Sequence, residues 1–119
     1  MTYRVTGPAR QQIVEILARS AFDYGERRAA NYQALLEAAM EDVGADPQRP
    51  GARPVHRMPG VWCYDIRYAK NRLSREQRVR DPWHTLVYCW DQDGVVAILA
   101  VVGRAYPAGR AARQAIRGR

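Results

Sequence analysis

The sequence is poor in cysteine, with only Cys63 and Cys89 among its 119 residues. Two cysteines are too few for a disulfide framework, and each lies inside an apolar run, which is typical of small buried side chains in a reduced compartment. Together with His56 and His84 they make four potential metal ligands, but no two of them have the close spacing of a structural zinc site. We therefore expect no disulfide framework, no metal and no cofactor.

Long apolar segments are also absent. No stretch approaches the run of about 18 uncharged apolar residues that a membrane span needs, and the N-terminus lacks an apolar signal region. We therefore expect a soluble, cytoplasmic protein. The length predicts a single domain over residues 1–119 with one hydrophobic core.

Lysine is nearly missing, since Lys70 stands beside 18 arginines. The net charge of +7 is unevenly distributed: residues 1–48 carry 5 basic and 7 acidic side chains, whereas residues 49–119 carry 14 and 5. This asymmetry predicts that the second half meets an anionic surface, either a nucleic acid, an acidic protein, or both.

The hydrophobic periodicity predicts one short strand followed by two helices. The strand covers residues 2–6, Pro8 begins a helix that ends at Gly25, and a second helix runs from Glu26 to Gly44. Three further strands are predicted at residues 61–68, 84–90 and 95–102. The order β-α-α-β-β-β predicts an α+β domain in which a helical hairpin packs on a mostly antiparallel sheet.

Two basic segments lie outside these elements. Residues 69–82 are too many for an ordinary hairpin loop, so they form either a flexible loop or a cationic arm that contacts phosphates or acidic side chains. Residues 107–119 make a basic C-terminal tail, which we expect to be amphipathic and ordered only in a complex.

Four apolar side chains fall outside the stripes that the two helices need for the sheet. We expect them to be exposed and to form a groove for a partner helix, and they are Val14, Phe22, Leu35 and Ala38.

Several stretches occur in an order that is characteristic of a known family. They are "YRVTGPARQQIVEI", "YGERRAANYQALLEAAMEDVGADP", "GVWCYDIRY" and "HTLVYCWDQDGVVAILAVV". Together with the basic segment that follows the last predicted strand, they span residues 3–106. This ordered combination resembles the ParE toxins of the RelE/ParE toxin–antitoxin superfamily. One departure is Gly103, which stands where the family frequently has histidine.

The resemblance implies a bacterial toxin that a ParD-like antitoxin holds inactive in a hetero-oligomer. It also implies DNA gyrase as the target, with no catalytic residues in the toxin itself. On this interpretation the antitoxin contacts Val14, Phe22, Leu35, Ala38, Arg67 and Arg104. The target-binding residues would be Arg72, Arg75, Arg78, Arg80, Trp83, Arg104 and Tyr106.

Two alternatives stay open. The first resembles RelE, a ribosome-dependent messenger RNA endonuclease, which must activate a 2′-hydroxyl, stabilise a charged phosphorane and protonate a leaving oxygen. Its candidate catalytic residues are Arg67, Lys70, His84, Arg104 and Tyr106. The second is an inactive or nucleic-acid-binding relative, in which Trp83 and Trp90 stack on bases while the arginines of residues 69–82 contact phosphates.

Overall fold

The protein has an α+β fold with a mixed sheet, described here from a computed structural model. The structure describes residues 3–117, so that Thr2 of the predicted first strand and Gly118 and Arg119 of the predicted tail lie outside the described residues. In chain order the elements are β1 (Tyr3–Val5), α1 (Gly7–Tyr24), α2 (Glu26–Ala45), β2 (Arg53–Pro54), β3 (Trp62–Asp65), a first 3-10 helix (Ile66–Arg72), a second 3-10 helix (Arg75–Gln77), β4 (His84–Trp90), β5 (Val96–Gly103) and α3 (Ala108–Arg117).

The strands form one sheet in the order β1-β5-β4-β3-β2. β1 runs parallel to β5, with Tyr3 beside Val96, and the other three pairings are antiparallel. Thr6 links the first strand to the first helix, because its hydroxyl accepts the Ala9 N–H and donates to the Ile98 carbonyl at 2.8 Å. The predicted α+β class, with a helical hairpin and a mostly antiparallel sheet, is therefore confirmed.

The helical hairpin of α1 and α2 covers one face of the sheet. α2 packs against α1 and also against the first 3-10 helix, so apolar residues outside its sheet-facing stripe are covered as well. Leu35 is completely buried and Ala38 nearly so. The prediction that these two residues are exposed in a partner groove is therefore wrong, because α2 has packed neighbours on more than one side.

α3 covers the opposite face of the sheet. Its alanines Ala111, Ala112 and Ala115 are buried in one cluster with Val87 and Leu99 of the central strands. Small side chains allow a helix to lie close to a sheet. The predicted tail that orders only in a complex is therefore wrong, since residues 108–117 are a packed helix of the chain itself. A sheet covered on both faces also accounts for the uninterrupted apolar run of β5.

β3 is shorter than the sequence predicts. The alternation of residues 61–68 ends at Asp65, whose Oδ1 accepts the Arg67 N–H at 3.0 Å and so begins the first 3-10 helix. Arg67 therefore lies on this 3-10 helix and not on a strand face. The segment 69–82 is not the flexible loop considered above, because it contains the end of the first 3-10 helix and all of the second, and its Ala69 and Val79 are buried in the core.

Among residues 3–117, no helix combines the length and the apolar character that crossing a membrane requires.

The packing of α3 predicts the effect of a charge placed under it. Ala112→Glu puts an unpaired carboxylate against the buried sheet face, which we expect to cost about 3 kcal/mol or more. Because α3 is the last element, it should detach, and the amides of residues 108–117 should lose their protection from hydrogen exchange. Gln114→Glu, on the exposed side of the same helix, is the matched control and should keep the protection. Equal protection in both variants would contradict the packing described here.

Candidate functional site

An ion pair with a buried carboxylate joins three segments at one end of the sheet. Asp65, only 3% exposed, accepts Nε–H of Arg104 through Oδ2 at 2.8 Å. A terminal nitrogen of Arg104 donates to the Pro82 carbonyl at 2.6 Å, and its backbone N–H donates to the Trp83 carbonyl at 2.8 Å. The end of β3, the segment before β4 and the exit from β5 are thereby held together.

The Arg104 member of this ion pair lines a cleft together with other cations and aromatic rings. The guanidinium carbon of Arg104 lies 5.3 Å from the Trp83 ring centroid, and that of Arg67 lies 5.3 Å from the Tyr68 ring centroid. About half of Trp83 and Tyr68 is exposed. The cleft has a volume of about 570 Å³ and is called the cationic cleft below; it is lined by Arg67, Tyr68, Lys70, Asp81, Pro82, Trp83 and Arg104.

The chemistry of the cationic cleft suits an anionic partner that also has a flat or apolar part. The pKa of Arg67 is raised, first by the hydrogen bond of Arg67 with Tyr68 and secondly by the nearby Asp65 carboxylate. Arg67 therefore stays charged. Guanidinium groups bind carboxylates and phosphates through paired hydrogen bonds, and exposed rings provide a stacking surface. The cleft can therefore bind such a group without any proton transfer.

His84 begins β4 and is turned toward α2. Its Nδ1 lies 2.5 Å from the hydroxyl oxygen of Tyr32, which also accepts the Trp83 N–H at 3.1 Å. Because that hydroxyl accepts from Trp83, its own hydrogen is free to be donated to Nδ1, which requires a neutral imidazole. Burial lowers the pKa of His84 in the same direction. The ring therefore serves to fix the start of β4.

The five residues of the ribonuclease hypothesis fall into two groups. Arg67, Lys70 and Arg104 share the cationic cleft, whereas His84 and Tyr106 line a different cavity of about 350 Å³ beside α1. The Tyr106 hydroxyl donates to Gln114 of α3 at 3.2 Å. The structure thus brings the cations together and places both uncharged proton-exchanging side chains elsewhere.

Gly103 explains how the Trp83 ring can lie over the end of β5. A β-carbon at position 103 would come within 2.8 Å of Trp83 Nε1. Such a contact is shorter than side chains tolerate, so the indole in its present position requires glycine there. The departure from the family pattern noted above therefore has a local structural reason.

The arginines of segment 69–82 have different surroundings. Arg72 is paired with Asp42 at 2.7 Å and with Glu41 at 3.2 Å, and the hydrogen bond that it donates to Asp42 raises the pKa of Arg72. Arg72 therefore anchors the first 3-10 helix on α2. The remaining three are exposed and form no ion pair with residues 3–117, and they are Arg75, Arg78 and Arg80.

An apolar ridge runs along the outer side of α1. Val14, Ala18 and Phe22 follow one another at four-residue spacing, and Phe22 is 88% exposed. Residues four apart on a helix are neighbours on its surface. We call these three residues the apolar ridge. Val14 and Phe22, the two residues of the predicted partner groove that belong to α1, are therefore exposed.

Sequence reasoning missed Asp65, Tyr32 and Tyr68 as members of the site. Asp65 carried a weak signal, since an acidic residue inside an apolar strand-like run is costly unless it is paired. Tyr32 lies in the apolar stripe of α2, where an aromatic ring suggests the core and gives no sign of its hydroxyl's partners. Tyr68 belonged to a predicted strand that ends before it.

Neither a scan against protein-family models nor a search of curated proteins finds a match to this chain. Within residues 3–117, no group of three or more histidine, cysteine, aspartate or glutamate side chains is arranged to hold a metal ion.

The Asp65–Arg104 pair, with its buried carboxylate, predicts that two ion pairs of similar length differ in their contribution to stability. Asp65→Asn removes the counter-charge of Arg104, whose side chain is 34% exposed, and we expect the free energy of unfolding to fall by about 1–3 kcal/mol. Asp23→Asn breaks the exposed Arg19–Asp23 pair, which spans 2.9 Å, and should cost less than about 0.5 kcal/mol. Urea denaturation measures both. Equal losses would show that Asp65 has no special part in holding the cleft.

The neutral His84 predicts a pH dependence of stability. Because its pKa is lower in the folded than in the unfolded state, the unfolded state binds more protons as the pH falls below about 6.5. Stability should therefore decrease with falling pH in that range, by at most about 1.4 kcal/mol per pH unit for this one group. His84→Gln should flatten the dependence measured by denaturation between pH 7 and pH 5. His56→Gln, at an exposed position, is the control. An unchanged slope in His84→Gln would argue against a neutral imidazole.

Proposed function

We propose that this protein is a toxin of the RelE/ParE kind, neutralised by a ParD-like antitoxin, which acts by binding DNA gyrase and not by a reaction of its own. The order of the main elements supports this proposal. A short strand, a helical hairpin and three further main strands follow one another over residues 3–103 as the resemblance implies, with the short β2 and the C-terminal α3 as additions.

The observation that carries the proposal is the composition of the cationic cleft. It combines three cations, Arg67, Lys70 and Arg104, with two half-exposed rings and a single carboxylate, and it lacks a histidine. Catalysis of RNA cleavage needs a group that takes a proton and a group that returns one. Fixed cations beside aromatic rings instead favour binding to an acidic surface of a protein.

The apolar ridge supports the antitoxin part of the proposal. An exposed phenylalanine in line with a valine on one helix is the kind of surface that the apolar side of a partner helix covers. Since the second half of the chain is strongly basic, such an antitoxin would carry acidic residues where it reaches that half.

The ribonuclease is the alternative function, and one observation favours it. Three of its five candidate residues share one cleft, as phosphate binding would require. In that case Tyr68, Lys70 and Asp81 are the groups in the cleft able to exchange a proton, because arginine stays charged.

The proposal predicts that purified protein inhibits DNA gyrase on plasmid DNA and traps linear DNA as a cleavage complex. Arg67→Ala together with Lys70→Ala should weaken the inhibition about tenfold, which corresponds to about 1.4 kcal/mol of binding. Arg10→Ala together with Arg27→Ala, two exposed helix arginines, removes the same charge elsewhere and should leave the inhibition unchanged.

The same protein added to translating ribosomes separates the alternatives. Unaffected gyrase with cleaved messenger RNA would replace the proposal with the ribonuclease. Unaffected gyrase with intact messenger RNA would reject both functions.

A further inference from the structure

Acidic residues are missing from two separate parts of the sequence. No aspartate or glutamate occurs between Asp46 and Asp65, and none follows Asp93. The fold brings these two parts together on the same face of the sheet: Val55 and Val61 pack in one cluster with the alanines of α3. The layer opposite the helical hairpin is therefore built from acid-free segments, although they are about 50 residues apart in the chain.

α3 directs its arginines away from the sheet. At 100° per residue, Arg110, Arg113 and Arg117 lie within an arc of about 60°, on the side opposite the buried Ala111, Ala112 and Ala115. All three arginines are exposed. The helix therefore presents three charges to solvent along about 10 Å of its length.

The segment before β3 adds two more arginines beside α3. The Arg113 guanidinium contacts the Met58 sulfur at 3.8 Å, and a β-carbon at Gly109 would contact Val55 at 3.8 Å. Arg53 and Arg57, on either side of Val55, are exposed. We call the resulting set the arginine face; it consists of Arg53, Arg57, Arg110, Arg113 and Arg117.

The charges of the arginine face are not compensated within the fold. None of its five residues forms an ion pair with any residue in the range 3–117, whereas Arg49, Arg67, Arg72 and Arg104 all do. Unpaired arginines that converge on an acid-free layer repel one another, and a polyanion relieves this repulsion.

We propose that the arginine face binds the phosphate backbone of double-stranded DNA independently of sequence. Guanidinium groups match phosphate oxygens in geometry and charge. The arginine face itself contains no aromatic side chain that could stack on unpaired bases, so it is suited to the closely spaced phosphates of a duplex. This proposal does not depend on the proposed function.

A membrane surface fits this face less well. An amphipathic helix binds lipid by inserting its apolar side, but the alanine side of α3 is already buried on the sheet. Ile116 is its one large apolar side chain at the surface. Charge without an available apolar side favours a rigid polyanion.

The test measures binding of the full-length protein to a fluorescent 20-base-pair duplex of mixed sequence, by anisotropy, between 50 and 300 mM NaCl. With five phosphate contacts, the slope of log K against log salt concentration should be about −4.5. The triple variant Arg110→Ala, Arg113→Ala, Arg117→Ala should bind at least tenfold more weakly at 50 mM, with a slope reduced in magnitude by about 2.7. Alanine at these exposed positions favours helix, so α3 should stay folded.

The matched control is the triple variant Arg4→Ala, Arg10→Ala, Arg27→Ala, which removes the same charge from exposed positions in the first half of the chain and should keep the affinity and slope of the unaltered protein. An equal loss in both triple variants would show that only net charge matters and would overturn the proposal. So would the absence of binding at 50 mM, or tighter binding to a single strand of the same length. The assay contains neither gyrase nor antitoxin, so its outcome is separate from that of the proposed function.

Discussion

The arrangement of the cationic cleft depends on one buried carboxylate. One oxygen of Asp65 ends β3 by capping the first 3-10 helix, and the other holds Arg104 as the chain leaves β5. A buried charge is tolerated only when such partners satisfy it. With Asp65 in place, Arg104 can also reach the Pro82 carbonyl and lie against Trp83. A single acid therefore determines where a strand stops, where a cation lies and which ring borders the cleft.

The two faces of the sheet are covered in different ways, and this difference separates two kinds of surface. The helical hairpin meets the sheet through large side chains such as Tyr64, Leu86 and Ile98, whereas α3 meets it through alanines. Because α3 packs on the sheet through alanines, its outer side is free to carry three arginines. The hairpin instead carries most of the acidic residues of the first half together with the apolar ridge. The acid-free segments of the second half thus form the layer opposite the hairpin, whereas other basic residues of that half, such as Arg67 and Arg72, lie on the 3-10 helix that packs against α2.

The helices and strands could be predicted wherever the spacing of apolar residues reflects which side chains are buried. The candidate site could be predicted only in part. Leu35 and Ala38 were placed at the surface because a helical stripe assumes one covering face, whereas α2 has several. α3 was interpreted as a tail because alanine contributes little to a hydrophobic pattern. The structure places Arg67, Lys70 and Arg104, which lie near strand ends, in one cleft. It places His84 and Tyr106 in another cavity, since position along a strand does not reveal which layer a side chain faces.

Arginine content alone does not show which cations have a structural part in the fold, but ion pairing does. Arg72 and Arg104 have carboxylates within 3 Å and hold segments of this chain together. Arg110 and Arg117 have no such partner in the described part of the chain and lie on a helix whose only buried side is opposite. The stability of the fold does not require these arginines to be unpaired, since acidic residues at neighbouring positions could pair with them. The complete lack of acids after Asp93 is therefore better explained by an external polyanion than by folding.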